Sequence, residues 1–232
     1  MEQIIPLEIV FSYEGVQKAL FPTLIRHDGG LALVDCGYPG FLPLLEAAIR
    51  RQGLSPDALT HAVITHHDDD HMGALAELLD AYPRIRVLAG AEQAPYISGE
   101  KKSLRLRQAE ALQTALPPEA QAWGLAFQQK LAAVRPARVD AALTPGETLP
   151  WCGGCQILAT PGHMPGHISL YFPQARAVVT GDAAVLESGA LTVANPQYTL
   201  DMETARASLA MLLGLPADTY HCFHGGTFRR KL

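Results

Sequence analysis

What the sequence lacks narrows the field first. No apolar run approaches the roughly 18 residues that a membrane span needs. The opening stretch MEQIIPLEIV carries neither the basic flank nor the long apolar centre of a signal peptide. A cytoplasmic protein with no membrane partner is therefore expected. Positive charge is also in short supply: 18 Lys and Arg stand against 23 Asp and Glu, a net charge of −5, which leaves no electrostatic footprint for nucleic acid. Cysteine is scarce. Cys36, Cys152, Cys155 and Cys222 contain a single CxxC pair, and a four-cysteine zinc site would have to reach more than 60 residues to either side of it. WCGGC reads instead as a Gly-Gly turn between two strands, with the cysteines as small apolar residues. GxSxG and a paired Ser/His nucleophile are absent, which argues against a covalent serine mechanism.

What is present describes a folded α/β chain. Of 232 residues 48% are apolar and 18% charged, a balance that can bury a core. GGLALVDCG and HAVITH read as short buried strands, each ending at a polar or glycine-rich loop. Between them FLPLLEAAIRRQGL has helical spacing and stops at Gly53. A helix over MGALAELLDAY and a strand over RIRVLAG follow. Residues 94–139, rich in Ala, Gln, Leu, Lys and Arg, read as an inserted helical pair divided at Pro117 and Pro118. Strands resume in CQILATPGH, HISLYF and RAVVTGD, then a helix with Asp201 as N-cap and a last strand in DTYHCFHGG. Two strand-rich halves with helices outside predict a layered α/β sandwich, one domain over 1–232 with an insertion at about 94–139.

The chemistry concentrates in VITHHDDDHMGAL, where three histidines and three aspartates fill positions 66–71. Histidine nitrogen and carboxylate oxygen suit zinc and neighbouring metals, and alternate residues of an extended loop can face one centre. His66, Asp68 and Asp70 have that spacing, and His71 can face a second centre. His163 in TPGHMPGH, Asp182 in VVTGD and His224 in HCFHGG sit at later strand ends beside glycine, giving seven candidate ligands on four loops. His67 reads as a neighbour of the site or a surface residue. His167 reads as a strand-start residue, with a hydrogen bond to a ligand as the alternative. EKKSLRLR, residues 100–107, offers four basic residues to an anionic substrate or simply to solvent. Tyr198 offers a donor to a substrate oxygen, or core packing.

The order LVDCG, THHDDDH, TPGHMPGH, VVTGD and HGG resembles the metallo-β-lactamase-like hydrolase superfamily nearly end to end. The resemblance implies an αββα four-layer sandwich with two divalent metal ions at one edge, zinc first, with manganese or iron as alternatives. It implies His66 and His163 at the first metal, Asp70, His71 and His224 at the second, Asp182 bridging, and Asp35 bracing the site without binding metal. Asp68 departs from the pattern His-x-His-x-Asp-His and is expected as a ligand in the histidine's slot. Two divalent ions, three aspartates and a bridging hydroxide sum to zero charge, against +1 with histidine, so the water should ionise less readily. The function implied is hydrolysis of a small-molecule ester, thioester or lactone by that hydroxide, with Asp70 as the catalytic proton carrier. Alternatives are a di-iron redox protein on the same scaffold, or a metal-binding protein without turnover. The helical insertion is expected to cover the site and to contribute to substrate choice.

Overall fold

The computed structural model describes residues 3–13 and 15–230. The first half runs β1 (Gln3–Pro6), β2 (Ile9–Tyr13), β3 (Val16–Leu20), β4 (Thr23–His27), β5 (Gly30–Val34), α1 (Leu42–Arg51), β6 (Leu59–Ile64), α2 (Asp69–Met72), α3 (Leu75–Ala81) and β7 (Arg86–Gly90). It continues through α4 (Ala94–Ile97), α5 (Leu104–Leu112) and α6 (Pro118–Ala132) to β8 (Ala141–Leu143). The second half is β9 (Thr148–Leu149), β10 (Cys155–Ala159), β11 (Ile168–Phe172), β12 (Ala177–Val179), β13 (Val185–Glu187), β14 (Ala190–Thr192), α7 (Met202–Gly214), β15 (Thr219–Cys222) and β16 (Gly226–Arg229).

Most strands form two six-stranded sheets, ordered β1-β4-β5-β6-β7-β8 and β16-β15-β12-β11-β10-β9, while β2 pairs with β3 and β13 with β14 in two-stranded ribbons. Strands β5 to β8 pair in parallel, and so do β12 and β15, which requires crossover connections that carry helices onto the outer faces. Alternation along each strand then divides the core. Val34 and Val63 turn inward to meet Ile157, Leu170 and Phe172 of the other sheet. Their neighbours Leu33 and Ile64 turn outward under Leu45 and Ile49 of α1 and Leu78 of α3. On the far side Val178 and Tyr220 pack under Leu212 of α7. The layers are αββα, as the family resemblance implied.

Local signals read from the sequence recur in place. Gly53 follows α1 at φ +71°, and the Asp201 carboxylate accepts the Glu203 and Thr204 N–H groups at the start of α7. WCGGC forms the turn between β9 and β10, with Gly153 and Gly154 at φ +75° and +116°, and all four cysteines are buried. The helix expected over MGALAELLDAY is interrupted at Gly73–Ala74 and becomes α2 and α3. The 94–139 stretch contains α4 as well as the expected pair, and Pro118 sits at the first position of α6. Among the described helices none is long and apolar enough to cross a membrane.

Candidate metal centre

The seven candidate ligands meet at one edge of the sandwich, where parallel strands deliver their C-terminal ends. His66 and Asp68 lie in the loop after β6 and Asp70 and His71 in α2; Asp182 follows β12 and His224 follows β15. His163 comes from the loop between β10 and β11. That loop presses on α7 so closely that a Cβ on Gly162, at φ +124°, would lie 2.2 Å from the Ala205 nitrogen. Only glycine fits there.

Around Asp68, its Oδ2 lies 3.5 Å from His66 Nε2 and 3.1 Å from His163 Nε2. Around the other end, His224 Nε2 lies 3.2 Å from Asp70 Oδ2, and His71 Nε2 lies 3.8 Å from the same oxygen. Asp182 spans the two groups: Oδ2 is 3.5 Å from His163 Nε2, while Oδ1 is 3.3 Å from His71 Nε2 and 3.4 Å from His224 Nε2. Ligand atoms held at about 2.0–2.1 Å by one tetrahedral ion stand about 3.3–3.4 Å apart, so most of these separations match the edges of such a polyhedron. His66 Nε2, His71 Nε2 and Asp182 Oδ1 are buried without a hydrogen-bond partner. Buried polar atoms are rarely left so, and three aimed into one cluster fit a cation. Three overlapping groups, His66-Asp68-His163, His66-His71-Asp182 and Asp70-His71-His224, each bring their ligand atoms within 4.8 Å of one another.

The electrostatics are those of a packed set of anions and imidazoles. Burial pushes the Asp182 carboxyl up, but His224, His71 and His163 outweigh it and hold it well below the usual range. Burial would likewise lower His71, yet Asp182, Asp70 and Asp35 raise it well above the ordinary histidine value. His66 lies well below that value because of burial and the neighbouring His71. Burial, Asp70 and Asp68 push Asp69 up to about 7. Exposure grows across the site, from 0% and 3% for the His66 and His163 side chains to 14% for Asp70 and 34% for His224. The open side is therefore the Asp70–His224 side.

Residues behind the cluster fix its orientation. Asp35, at φ +58°, accepts the Thr65 N–H on Oδ1 at 2.9 Å and, on Oδ2, the Thr65 hydroxyl at 2.8 Å and His71 Nδ1 at 2.8 Å. His71 must then carry its proton on Nδ1, which leaves Nε2 facing the cluster. His167 is consumed by bracing: Nδ1 bonds the Thr160 hydroxyl at 2.8 Å and Nε2 accepts the Asp182 N–H at 3.0 Å. His67 turns away from the cluster, stacking on Tyr96 at 4.6 Å and bonding Gln93. Tyr198, 36% exposed, stands at the edge of the site.

One residue of this site escaped the sequence reading. Arg105 of α5 is 3% exposed and its Nη2 lies 2.6 Å from Asp68 Oδ2. Burial raises Asp68, but the charge of Arg105, followed by the neighbouring His163 and His66, holds it well below the usual carboxylate range. The charge sum expected from the candidate ligands alone leaves out Arg105, which adds one positive charge in contact with Asp68. The four basic residues of EKKSLRLR also separate: Arg105 is buried here, while Lys102 pairs with Glu110 on the surface at 2.5 Å.

Residues 21–224 match the metallo-beta-lactamase superfamily. A "Probable metallo-hydrolase YflN" from Bacillus subtilis is 26% identical over 90% of this chain and 81% of its own length. A hydroxyacylglutathione hydrolase from Synechococcus is 29% identical over 77% of this chain and 54% of its own. The fold superposes on the metallo-beta-lactamase family protein TTHA1429 from Thermus thermophilus with a TM-score of 0.74 at 23% identity, covering 97% of this chain and 74% of that one. With its two stacked sheets, its convergent His and Asp side chains and a family match spanning most of its length, the chain belongs to the metallo-beta-lactamase superfamily.

Proposed function

We propose that the cluster holds two divalent cations, zinc or alternatively manganese or iron, and that the protein hydrolyses a small-molecule ester, thioester or lactone. His66, Asp68 and His163 would hold one, Asp70, His71 and His224 the other, with Asp182 between them. The observation that carries this reading is the set of ligand-atom separations, 3.1–3.5 Å around Asp68 and Asp182. Two such ions supply an activated water and polarise a substrate carbonyl. The chain's own groups supply the rest. Asp70, on the open side, would pass a proton to the leaving atom.

Beside the site, α5, α6 and the Tyr198 loop enclose an apolar pocket. Leu112, Leu116, Trp123 and Phe127 line it, with Arg105 and Tyr198 on the side of the cluster. It suits the apolar part of an acyl or alkyl substrate. The similarity to hydroxyacylglutathione hydrolases, whose named substrate is an acylated thiol, supports a thioester among the three bond types.

The test is to measure bound metal in purified protein, load it in turn with zinc, manganese and iron, and assay hydrolysis of esters, thioesters and lactones of graded chain length. Two equivalents of metal and turnover of one bond type are expected. Two equivalents with no turnover across the panel would reject the hydrolase reading.

A further inference from the structure

Arg105 departs from ordinary protein economy: a guanidinium is always charged, and burying it calls for a full set of partners. It has them. Nε lies 3.3 Å and 3.2 Å from the two oxygens of Asp68, Nη2 lies 2.6 Å from Oδ2, and Nη2 also donates to the Tyr198 carbonyl at 2.6 Å. Nη1 donates to Gln108 Oε1 at 2.6 Å. The guanidinium is therefore clamped from three sides, and it clamps the carboxylate side-on in turn. The Asp68 oxygen it grips hardest is the one facing His66 and His163.

From this contact we infer that Arg105 is a positioning residue for the first cation, and that Asp68 and Arg105 act as one unit in the slot a neutral histidine would fill. The inference rests on the proposed metal site. Alone, an aspartate in that slot would bring a third carboxylate into the cluster and could turn about its own axis. The bidentate fork fixes the plane of the carboxylate and offsets its charge, so the unit presents one oriented oxygen with little net charge. The two residues are therefore interdependent. Histidine at position 68 would leave Arg105 buried, charged and aimed at the cation, while loss of Arg105 would leave Asp68 unheld.

The test is a four-protein comparison of wild type, Asp68→His, Arg105→Leu and Asp68→His/Arg105→Leu. Zinc affinity is read by competition with a chromophoric chelator, cobalt(II) absorption reports ligand geometry, and circular dichroism confirms folding. Each single variant is expected to bind the first ion about 10- to 100-fold more weakly, the usual effect of removing a partner that orients a ligand. The double variant is expected to recover most of that loss. A merely structural Arg105 would lower thermal stability without moving zinc affinity or the cobalt spectrum, and that result would overturn the inference. So would an Asp68→His protein that binds as well as the double variant. If Arg105→Leu does not fold, Arg105→Lys keeps the charge without the fork and is expected to lose affinity too; wild-type affinity there would also overturn it. Failure of the wild type itself to bind zinc would instead strike the proposed metal site, so the two failures are distinguishable.

Discussion

His67 Nε2 accepts the Leu104 N–H at 3.0 Å, while Arg105, the next residue along, reaches back to Asp68, the next residue after His67. Two consecutive residues of the ligand loop thus hold two consecutive residues at the start of α5. Because burial lowers His67, its imidazole stays neutral and keeps that acceptor. His67→Ala should cost about 1–2 kcal/mol of stability through the unpaired Leu104 N–H and Gln93 side chain, yet leave metal content unchanged. Thermal unfolding beside elemental analysis checks both. Lost metal with unchanged stability would make His67 a ligand.

Asp35→Asn nearly keeps the shape of the side chain but replaces a carboxylate oxygen by an N–H donor facing either Thr65 or His71. Metal affinity should fall by about 10- to 100-fold, as for other groups that orient a ligating histidine, with little change in secondary structure. Chelator competition reads it, and an unchanged affinity would remove Asp35 from the account of the site.

Gly162→Ala sets a Cβ against the Ala205 backbone, which α7 cannot withdraw without moving the helix. The left-handed φ of +124° adds to the strain. A loss above about 2 kcal/mol is expected, and with it weaker metal binding through the adjacent His163. Gly146→Ala, also at positive φ but with no atom within 4 Å of its added Cβ, is the control for φ strain alone.

Acid should weaken the fold through its buried neutral histidines. Burial pushes His221 down to about 4 and, with His163 second, His167 down to about 3. Unfolded histidines take up protons near pH 6.5. Stability from these neutral residues is thus complete above that value and is lost progressively as pH falls toward 4 and 3. Each pH unit that separates the folded from the unfolded titration corresponds to about 1.4 kcal/mol. Denaturant midpoints measured from pH 7 to pH 4 should decline, and the decline should be shallower in His221→Gln. An equal slope in the variant would contradict the contribution of His221.

Substrate choice should follow the apolar pocket. Trp123, 46% exposed, stacks on Phe127 at 5.3 Å, and Trp123→Ala should raise KM for long-chain substrates more than for short ones while leaving metal content intact. An equal change across chain lengths would count against the pocket. Deleting residues 94–139 would be a poor probe, because it removes Arg105 from Asp68 as well.

The ligand loops were legible in the sequence because their chemistry is local: His and Asp beside glycine, straight after an apolar run. The outer helices and the buried strands were legible for a similar reason, since Leu33/Val34 and Val63/Ile64 are apolar on both faces. Arg105 was not. Its partner lies 37 residues away, and in EKKSLRLR nothing local sets it apart from the exposed Lys101, Lys102 and Arg107. Strands β2 and β3 were missed because they form a two-stranded ribbon whose alternate residues are exposed or half-buried, which leaves a faint apolar pattern. Strand β8, three residues long, is too short to carry any period.

The candidate ligands His66, Asp68, Asp70 and His71 come from the loop and helix that follow β6 of one sheet, and His163, Asp182 and His224 from loops of the other. A cation bound between them is a cross-link over the seam along which the two halves of the sandwich dock. Binding and docking are then thermodynamically linked. At a free concentration one hundred times its dissociation constant, an ion that binds only the docked form adds about 2.7 kcal/mol to the cohesion of the halves. Chelation of a bound ion would loosen the seam, and thermal melting would register the loss without any substrate.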